Sequence, residues 1–225
     1  MFIGHSGVGF AAKKVIPKTS LGTLFLASQF IDLLWPFFLI LGIERVAIDP
    51  GNTAFTPLNF IYYPFSHSLL GVLLWALIFG AVYYFIKKDL KSSLILGILV
   101  LSHWILDFIT HRPDLPLFIG GDSPFVGLGL WNSIIATVII ESLIFIVGVY
   151  LYISVTKAKN KVGTYSLWSF IIFLIIVYLL NLFGLPPDSV NAIGYVGLSQ
   201  WLLIAWAYWV DRNRTTKEIY KKIGS

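Results

Sequence analysis

Six long apolar stretches, separated by polar or Pro- and Gly-rich connections, dominate the chain. An α-helix needs about 20 apolar residues to cross the hydrocarbon of a bilayer. The stretches that meet or approach this length lie at about 20–43, 67–86, 92–110, 128–154, 165–183 and 194–210. The pattern therefore predicts an all-α protein, a polytopic membrane bundle of about six transmembrane helices.

A further apolar segment, residues 2–12, precedes these stretches and is too short to span. At about 1.5 Å per residue it would reach only about 15–18 Å, half of the bilayer. Gly4, Gly7 and Gly9 would let it approach a neighbouring helix closely. We expect a short re-entrant or half-inserted helix here, with Ser20 capping the first full span. The alternative is an amphipathic helix on the cytoplasmic surface.

The basic residues predict how the bundle is oriented. They cluster before the first apolar stretch and after the second, fourth and sixth. Fourteen of the 16 Lys and Arg belong to these clusters, namely Lys13, Lys14, Lys18, Lys87, Lys88, Lys91, Lys157, Lys159, Lys161, Arg212, Arg214, Lys217, Lys221 and Lys222. The positive-inside rule makes this side cytoplasmic, so both ends of the main bundle face the cytoplasm. The long connections 44–66 and 111–127 then lie on the outer side of the membrane. We expect a multi-pass protein of the plasma (inner) membrane.

Composition supports the membrane assignment and removes several classes of function. The chain is 57% hydrophobic and 12% charged, against roughly 45–50% and 25% in soluble domains. A soluble enzyme and a disulfide scaffold are therefore excluded, and the absence of cysteine removes thiolate metal ligands. The net charge of +5 follows from orientation, so membrane lipids and not nucleic acid are the expected partners. We expect one integral domain over 1–225, with the polar chemistry in 1–150 and two further helices plus a basic tail in 151–225.

Seven ionisable side chains lie in or at the ends of the apolar stretches. They are His5, Asp32, His67, His103, Asp107, His111 and Glu141. Such groups cost several kcal/mol in a bilayer and normally face a cavity with a partner. The predicted orientation brings all seven to a similar depth in the outer half of the membrane. The sequence therefore predicts a polar site that opens to the outside.

The sharpest local pattern is SHWILDFITH, residues 102–111. His103, Asp107 and His111 are spaced by four residues and share one helical stripe. Two ligands four residues apart can hold one metal ion, and Asp107 could complete a site with either neighbour or bridge two ions. Imidazole and carboxylate ligands suit Zn²⁺, Mn²⁺ or Fe²⁺, with zinc the default. The alternative is a buried His–Asp pair that only locks helix packing.

A second pattern, YPFSHSLLG at residues 63–71, predicts a helix start that puts His67 in the first turn at the outer mouth. Taken alone, His67 would be interpreted as an interfacial histidine. Beyond the third span, Arg112 could hold an anionic group of a substrate or form a local ion pair with Asp114.

Taken in order, these features resemble the LexA-binding, inner-membrane-associated, metal-dependent hydrolase family. The resemblance is carried by His5 and Gly9 in an apolar helix, by Asp32, and by the runs SHSLL (66–70) and SHWILD (102–107) with a trailing His. It covers roughly residues 1–150. The resemblance implies that His5, Asp32, His67, His103 and Asp107 are metal ligands or catalytic groups.

The chain departs from that family's pattern in two places. Residues 32–35 read DLLW where the family often has D-x-D-H, and residues 62–68 read YYPFSHS where it often has H-R-G-x-T-H-S. Several ligands of a full two-metal site are therefore missing.

The leading hypothesis is a membrane-embedded, zinc-dependent hydrolase that acts on a lipid or another amphiphilic ester. Its metal ligands would be the five residues above, and Glu141 or His111 would be the general base or proton shuttle. The first alternative is a small permease or channel that moves protons or divalent cations through the same cluster. The second is a scaffold whose polar stripe only specifies packing.

Overall fold

The protein is described by a computed structural model that covers residues 1–217, and in this part of the chain it is mainly helical. The helices are α1 Ile3–Ala12, α2 Leu21–Ser28, α3 Phe30–Ile40, α4 Pro64–His67, α5 Leu69–Lys87, α6 Leu90–Thr110, α7 Ile134–Val155, α8 Lys161–Phe183, α9 Val190–Leu198 and α10 Gln200–Arg212. The strands form antiparallel pairs, β1 Arg45–Ile48 with β2 Leu58–Tyr62, β3 Leu115–Pro116 with β4 Phe125–Val126, and β5 Thr156–Ala158 with β6 Arg214–Thr216. Lys221 and Lys222, which belong to the predicted basic tail, lie outside the described residues.

The prediction of a mainly helical protein with several helices able to span a membrane is confirmed. Helices α5, α6, α7 and α8, and α9 with α10 taken as one unit, are long and apolar enough to cross a membrane, which gives five candidate spans within the described chain. Helices α2 and α3 together make a sixth candidate, but they are bent by 55° at Gln29. The sequence, in contrast, predicts one continuous apolar stretch over 20–43, without the break between α2 and α3. Gln29 donates from Nε2 to the hydroxyl of Ser6 at 2.9 Å, which ties the bend to α1.

Helix α1 is buried inside the bundle, mainly against α7. The two backbones meet where Gly7 faces Gly148. A Cβ at Gly7 would lie 2.7 Å from the carbonyl oxygen of Ile144, and a Cβ at Gly148 would collide with the backbone of Gly7. Only glycine permits so close an approach at this crossing. The alternative of a surface amphipathic helix is therefore wrong, and α1 forms part of the core.

An aromatic cluster fills the interior between α1, α2, α7 and α8. Phe10 is its centre, with ring centroids 4.8 Å from Phe25, 5.4 Å from Tyr152 and 6.2 Å from Phe170. Tyr152 and Phe170 belong to the segment after residue 150. The last spans thus share one core with the N-terminal helix.

The basic connections come together at one end of the bundle. Lys13 Nζ donates to Asp211 Oδ2 at 2.9 Å and to the carbonyl of Thr19 at 2.8 Å. The hydroxyl of Thr19 in turn donates to Ser92 Oγ at 3.3 Å. The opposite connections also meet, since the N–H of Phe55 donates to the carbonyl of Trp131 at 3.0 Å. The fold is therefore compatible with the orientation that the charge pattern predicts, which remains a prediction.

Candidate metal centre

Four elements bring the five predicted metal ligands to one place. Helix α1 supplies His5, α3 supplies Asp32, α4 supplies His67, and α6 supplies His103 and Asp107. All are buried except Asp32, whose side chain is 27% exposed. Asp32 is therefore the member of the set that is accessible from outside the protein.

Nε2 of His67 and Nε2 of His103 each lie close to carboxylate oxygens of both Asp32 and Asp107. Nε2 of His103 lies 3.2 Å from Asp107 Oδ2 and 3.5 Å from Asp32 Oδ1. Nε2 of His67 lies 3.6 Å from Asp32 Oδ1 and 3.9 Å from Asp107 Oδ2. Neighbouring ligands of a tetrahedral zinc ion lie about 3.4 Å apart. The donor atoms of Asp32, His67 and His103 all lie within 4.8 Å of one another, a donor set that suits a divalent metal ion such as zinc.

The tautomer of His103 strengthens this fit. Its Nδ1 lies 3.0 Å from the carbonyl oxygen of Ser28, which can only accept, so Nδ1 carries the proton. The lone pair of Nε2 in the neutral ring then faces the carboxylates of Asp32 and Asp107, and this buried atom has no hydrogen-bond partner. The facing carboxylates of Asp32 and Asp107 need a positive charge in this buried position, which a proton on Nε2 or a metal ion would supply. The role of Ser28 was not predictable, because a backbone carbonyl carries no residue-type signal.

His5 contacts the other oxygen of the Asp107 carboxylate. Its Nε2 is 3.0 Å from Asp107 Oδ1, whereas His67 and His103 face Oδ2. The His5 ring stacks on His103, with centroids 3.7 Å apart. The amino group of Met1 also contacts Asp107 Oδ1. Two overlapping groups could thus hold a metal, Asp32–His67–His103 and His5–His103–Asp107.

His67 is oriented by Ser66 and Glu44, a pair that the sequence did not predict. Its Nδ1 lies 2.7 Å from Ser66 Oγ, which donates to Glu44 Oε2 at 2.6 Å. The sequence suggests Ser66 as part of a helix start, but Ser68 caps α5 by accepting from the N–H of Gly71. Burial is the main reason why the pKa of Glu44 is raised above its ordinary value.

Glu141, a predicted general base, is buried next to the start of α1. Its Oε2 accepts from the backbone N–H groups of Phe2 at 2.8 Å and of Gly4 at 3.3 Å. A carboxylate at this position satisfies free N–H groups and interacts favourably with the helix dipole. Glu141 thus anchors α1 to α7, and its Oε1 is buried without a hydrogen-bond partner.

His111, the other predicted catalytic residue, lies outside both metal-binding groups. It follows the last helical residue of α6, and its Nδ1 lies 3.0 Å from Asp114 Oδ1. Its ring packs 4.3 Å from that of Trp131, and burial lowers the pKa of His111. Arg112 pairs with Asp114 at 3.1 Å, so the local ion pair predicted as one alternative forms.

Comparisons with protein-family models, with curated proteins and with solved structures find no match to this chain. The functional argument therefore depends on the geometry of the cluster.

Proposed function

We propose that the protein is a membrane-embedded, metal-dependent hydrolase, as the resemblance noted in the sequence implies. The observation that carries the proposal is the approach of Nε2 of His67 and of His103 to carboxylate oxygens of Asp32 and Asp107, at 3.2–3.9 Å. Zinc bound by these residues would lower the pKa of a water molecule and polarise a scissile group. Polar groups of this kind, within a bundle that can span a membrane, are typical of functional sites.

The residues around the centre have distinct tasks in this proposal. Asp32, which is partly exposed, lies on the side from which water and substrate enter. His5 supports Asp107 through Oδ1, and Ser28 fixes the ring of His103. Each contact holds a ligand in its orientation, which increases metal affinity and basicity.

Proton transfer is assigned to His111 in preference to Glu141. Asp114 accepts from Nδ1 of His111, which leaves Nε2 as the basic nitrogen. The backbone N–H of His111 also donates to the carbonyl of Asp107 at 2.7 Å, so the two residues are adjacent. Glu141 is already engaged with the N–H groups of Phe2 and Gly4.

The substrate class follows from the predicted depth of the site. A centre in the outer half of the plasma membrane would meet phospholipids or other lipid-linked esters. The part of the chain that the structure describes has a hydrocarbon-rich surface around the bundle, which such molecules contact.

The permease alternative has less support. A conduction path would have to continue from the cluster to the basic end of the bundle. That direction is filled by the aromatic cluster around Phe10 and by a second apolar cluster that includes Leu24, Leu96 and Val100. Lys13 and Asp211 close the far end with an ion pair.

The test is reconstitution of zinc-loaded protein into vesicles of phosphatidylethanolamine and phosphatidylglycerol, with mass spectrometry of the lipids. We expect wild-type protein to release a hydrolysis product, Asp107→Asn to release none, and the exposed turn variant Asp122→Asn to match wild type. A zinc-loaded wild-type protein that leaves the lipids intact, but carries a cation flux lost in Asp107→Asn, would replace the hydrolase with the permease.

A further inference from the structure

Glu44 is an acidic residue that the chain turns inward. Helix α3 ends at Ile40, and Gly42 adopts a left-handed conformation with φ of 70°. The N–H groups of Ile43 and Glu44 then both donate to the carbonyl of Phe38, at 2.9 and 3.1 Å. This turn leaves Ile43 exposed and buries Glu44, which is 1% exposed.

The carboxylate of Glu44 accepts two hydrogen bonds from Ser66. Oε1 accepts the backbone N–H of Ser66 at 2.8 Å, and Oε2 accepts its hydroxyl at 2.6 Å. Ser66 is itself fully buried. A buried charge held by two donors of one residue fixes the direction of both hydrogen bonds.

That direction determines the proton position on His67. Because the hydroxyl of Ser66 donates to Glu44, its oxygen can only accept from Nδ1 of His67, 2.7 Å away. Nδ1 therefore keeps its proton, and the Nε2 lone pair points to Asp32 and Asp107. We infer that Glu44, acting through Ser66, is a positioning residue that sets the tautomer of His67 and directs its Nε2 to the metal centre.

The hydrogen bonds from His67 through Ser66 to Glu44 form a relay, and the substitution Glu44→Gln should reverse their direction. The amide oxygen of the substituted side chain would keep the backbone N–H of Ser66, so its NH₂ group would face Ser66 Oγ. The Ser66 hydroxyl would then donate to Nδ1 of His67 and move the ring proton to Nε2. A protonated Nε2 cannot bind a metal, although the volume of the side chain at position 44 is nearly unchanged.

The chain has only four histidines, so nitrogen NMR of ¹⁵N-histidine-labelled protein in bilayers can follow each ring. In metal-free protein we expect Nδ1 of His67 to be protonated in wild type and in Ser66→Thr, which keeps the hydroxyl. Nδ1 should lose its proton in Glu44→Gln. We also expect zinc to bind about 10- to 100-fold more weakly to Glu44→Gln, the usual effect of losing such an outer partner.

Asp114→Asn is the matched control, because Asp114 is also a carboxylate that contacts a histidine, His111, outside the cluster. It should change neither the His67 signals nor zinc affinity. An unchanged Nδ1 signal of His67 in Glu44→Gln would overturn the inference. The zinc measurement rests on the proposed function, whereas the NMR result does not. A wild-type protein that binds no zinc but shows the proton shift would refute the function and leave the relay intact.

Discussion

His103 is the residue whose change should affect the metal centre most. It belongs to both groups that could hold a metal, and its two ring nitrogens have separate tasks. In His103→Asn the amide N–H takes a position close to that of Nδ1 and can still donate to the carbonyl of Ser28. The ligand atom Nε2, which lies 3.2 Å from Asp107 and 3.5 Å from Asp32, is deleted.

The expected loss can be worked from the number of ligands. Four-ligand zinc sites in small domains bind with about 10–16 kcal/mol, so each ligand contributes on average about 2.5–4 kcal/mol. His103→Asn should therefore weaken zinc binding roughly 100- to 1,000-fold. This exceeds the effect expected for Glu44→Gln, because a ligand is lost and not only its orientation.

The assay is competition for zinc between chelator-treated protein in detergent micelles and a chromophoric chelator. His111→Asn is the control, since His111 is buried on the same stretch of chain but contacts Asp114. Its zinc affinity should equal that of wild type. Equal affinity of His103→Asn and wild type, or an equal loss in both variants, would refute the assignment of His103 as a ligand.

Three further predictions concern the fold. Lys13→Met should lower the stability to thermal unfolding by about 3 kcal/mol, because it leaves the largely buried Asp211 without its cation. The double variant Lys13→Met/Asp211→Leu should recover part of this loss. No loss of stability in Lys13→Met would contradict a stabilising role of the ion pair. Gly148→Ala should cost about 1–3 kcal/mol by forcing α1 from α7, whereas Gly120→Ala, with open space around it, should not. The hydroxyl and N–H of Ser92 hold the pKa of Asp89 below its ordinary value. Asp89 therefore stabilises α6 above the usual carboxyl pKa, and the difference in melting temperature between Asp89→Ala and wild type should vanish as pH falls below the lowered pKa.

Local spacing predicted the centre where the residues lie on one regular helix. His103 and Asp107 are four apart on α6, and the structure brings their side chains together at 3.2 Å. The same spacing placed His111 on that stripe. His111, however, follows the last helical residue, and its extended ψ of 146° turns the chain so that Asp114 lies 3.0 Å from the His111 ring. The predicted stretch 92–110 ends where α6 ends, but the spacing of residues did not show the path of the chain beyond it, which brings Asp114 to His111.

The pattern of basic residues predicted a relation that local spacing could not, namely which residues of different helices lie at the same depth. The orientation of the spans placed Asp32 and His67 at the depth of His103, and these three do form one group. The inward position of Glu44 was not predictable, because it depends on the positive φ of Gly42. The break at Gln29 was hidden for a similar reason, since it is fixed by a tertiary hydrogen bond to Ser6.

The most direct test of the central claim is a diffraction experiment on crystals of wild-type protein, recorded on both sides of the zinc absorption edge. The account predicts one anomalous peak, bounded by Nε2 of His67 and His103 and by the carboxylates of Asp32 and Asp107. A metal elsewhere in the chain, or no peak at this point in zinc-loaded crystals, would contradict it.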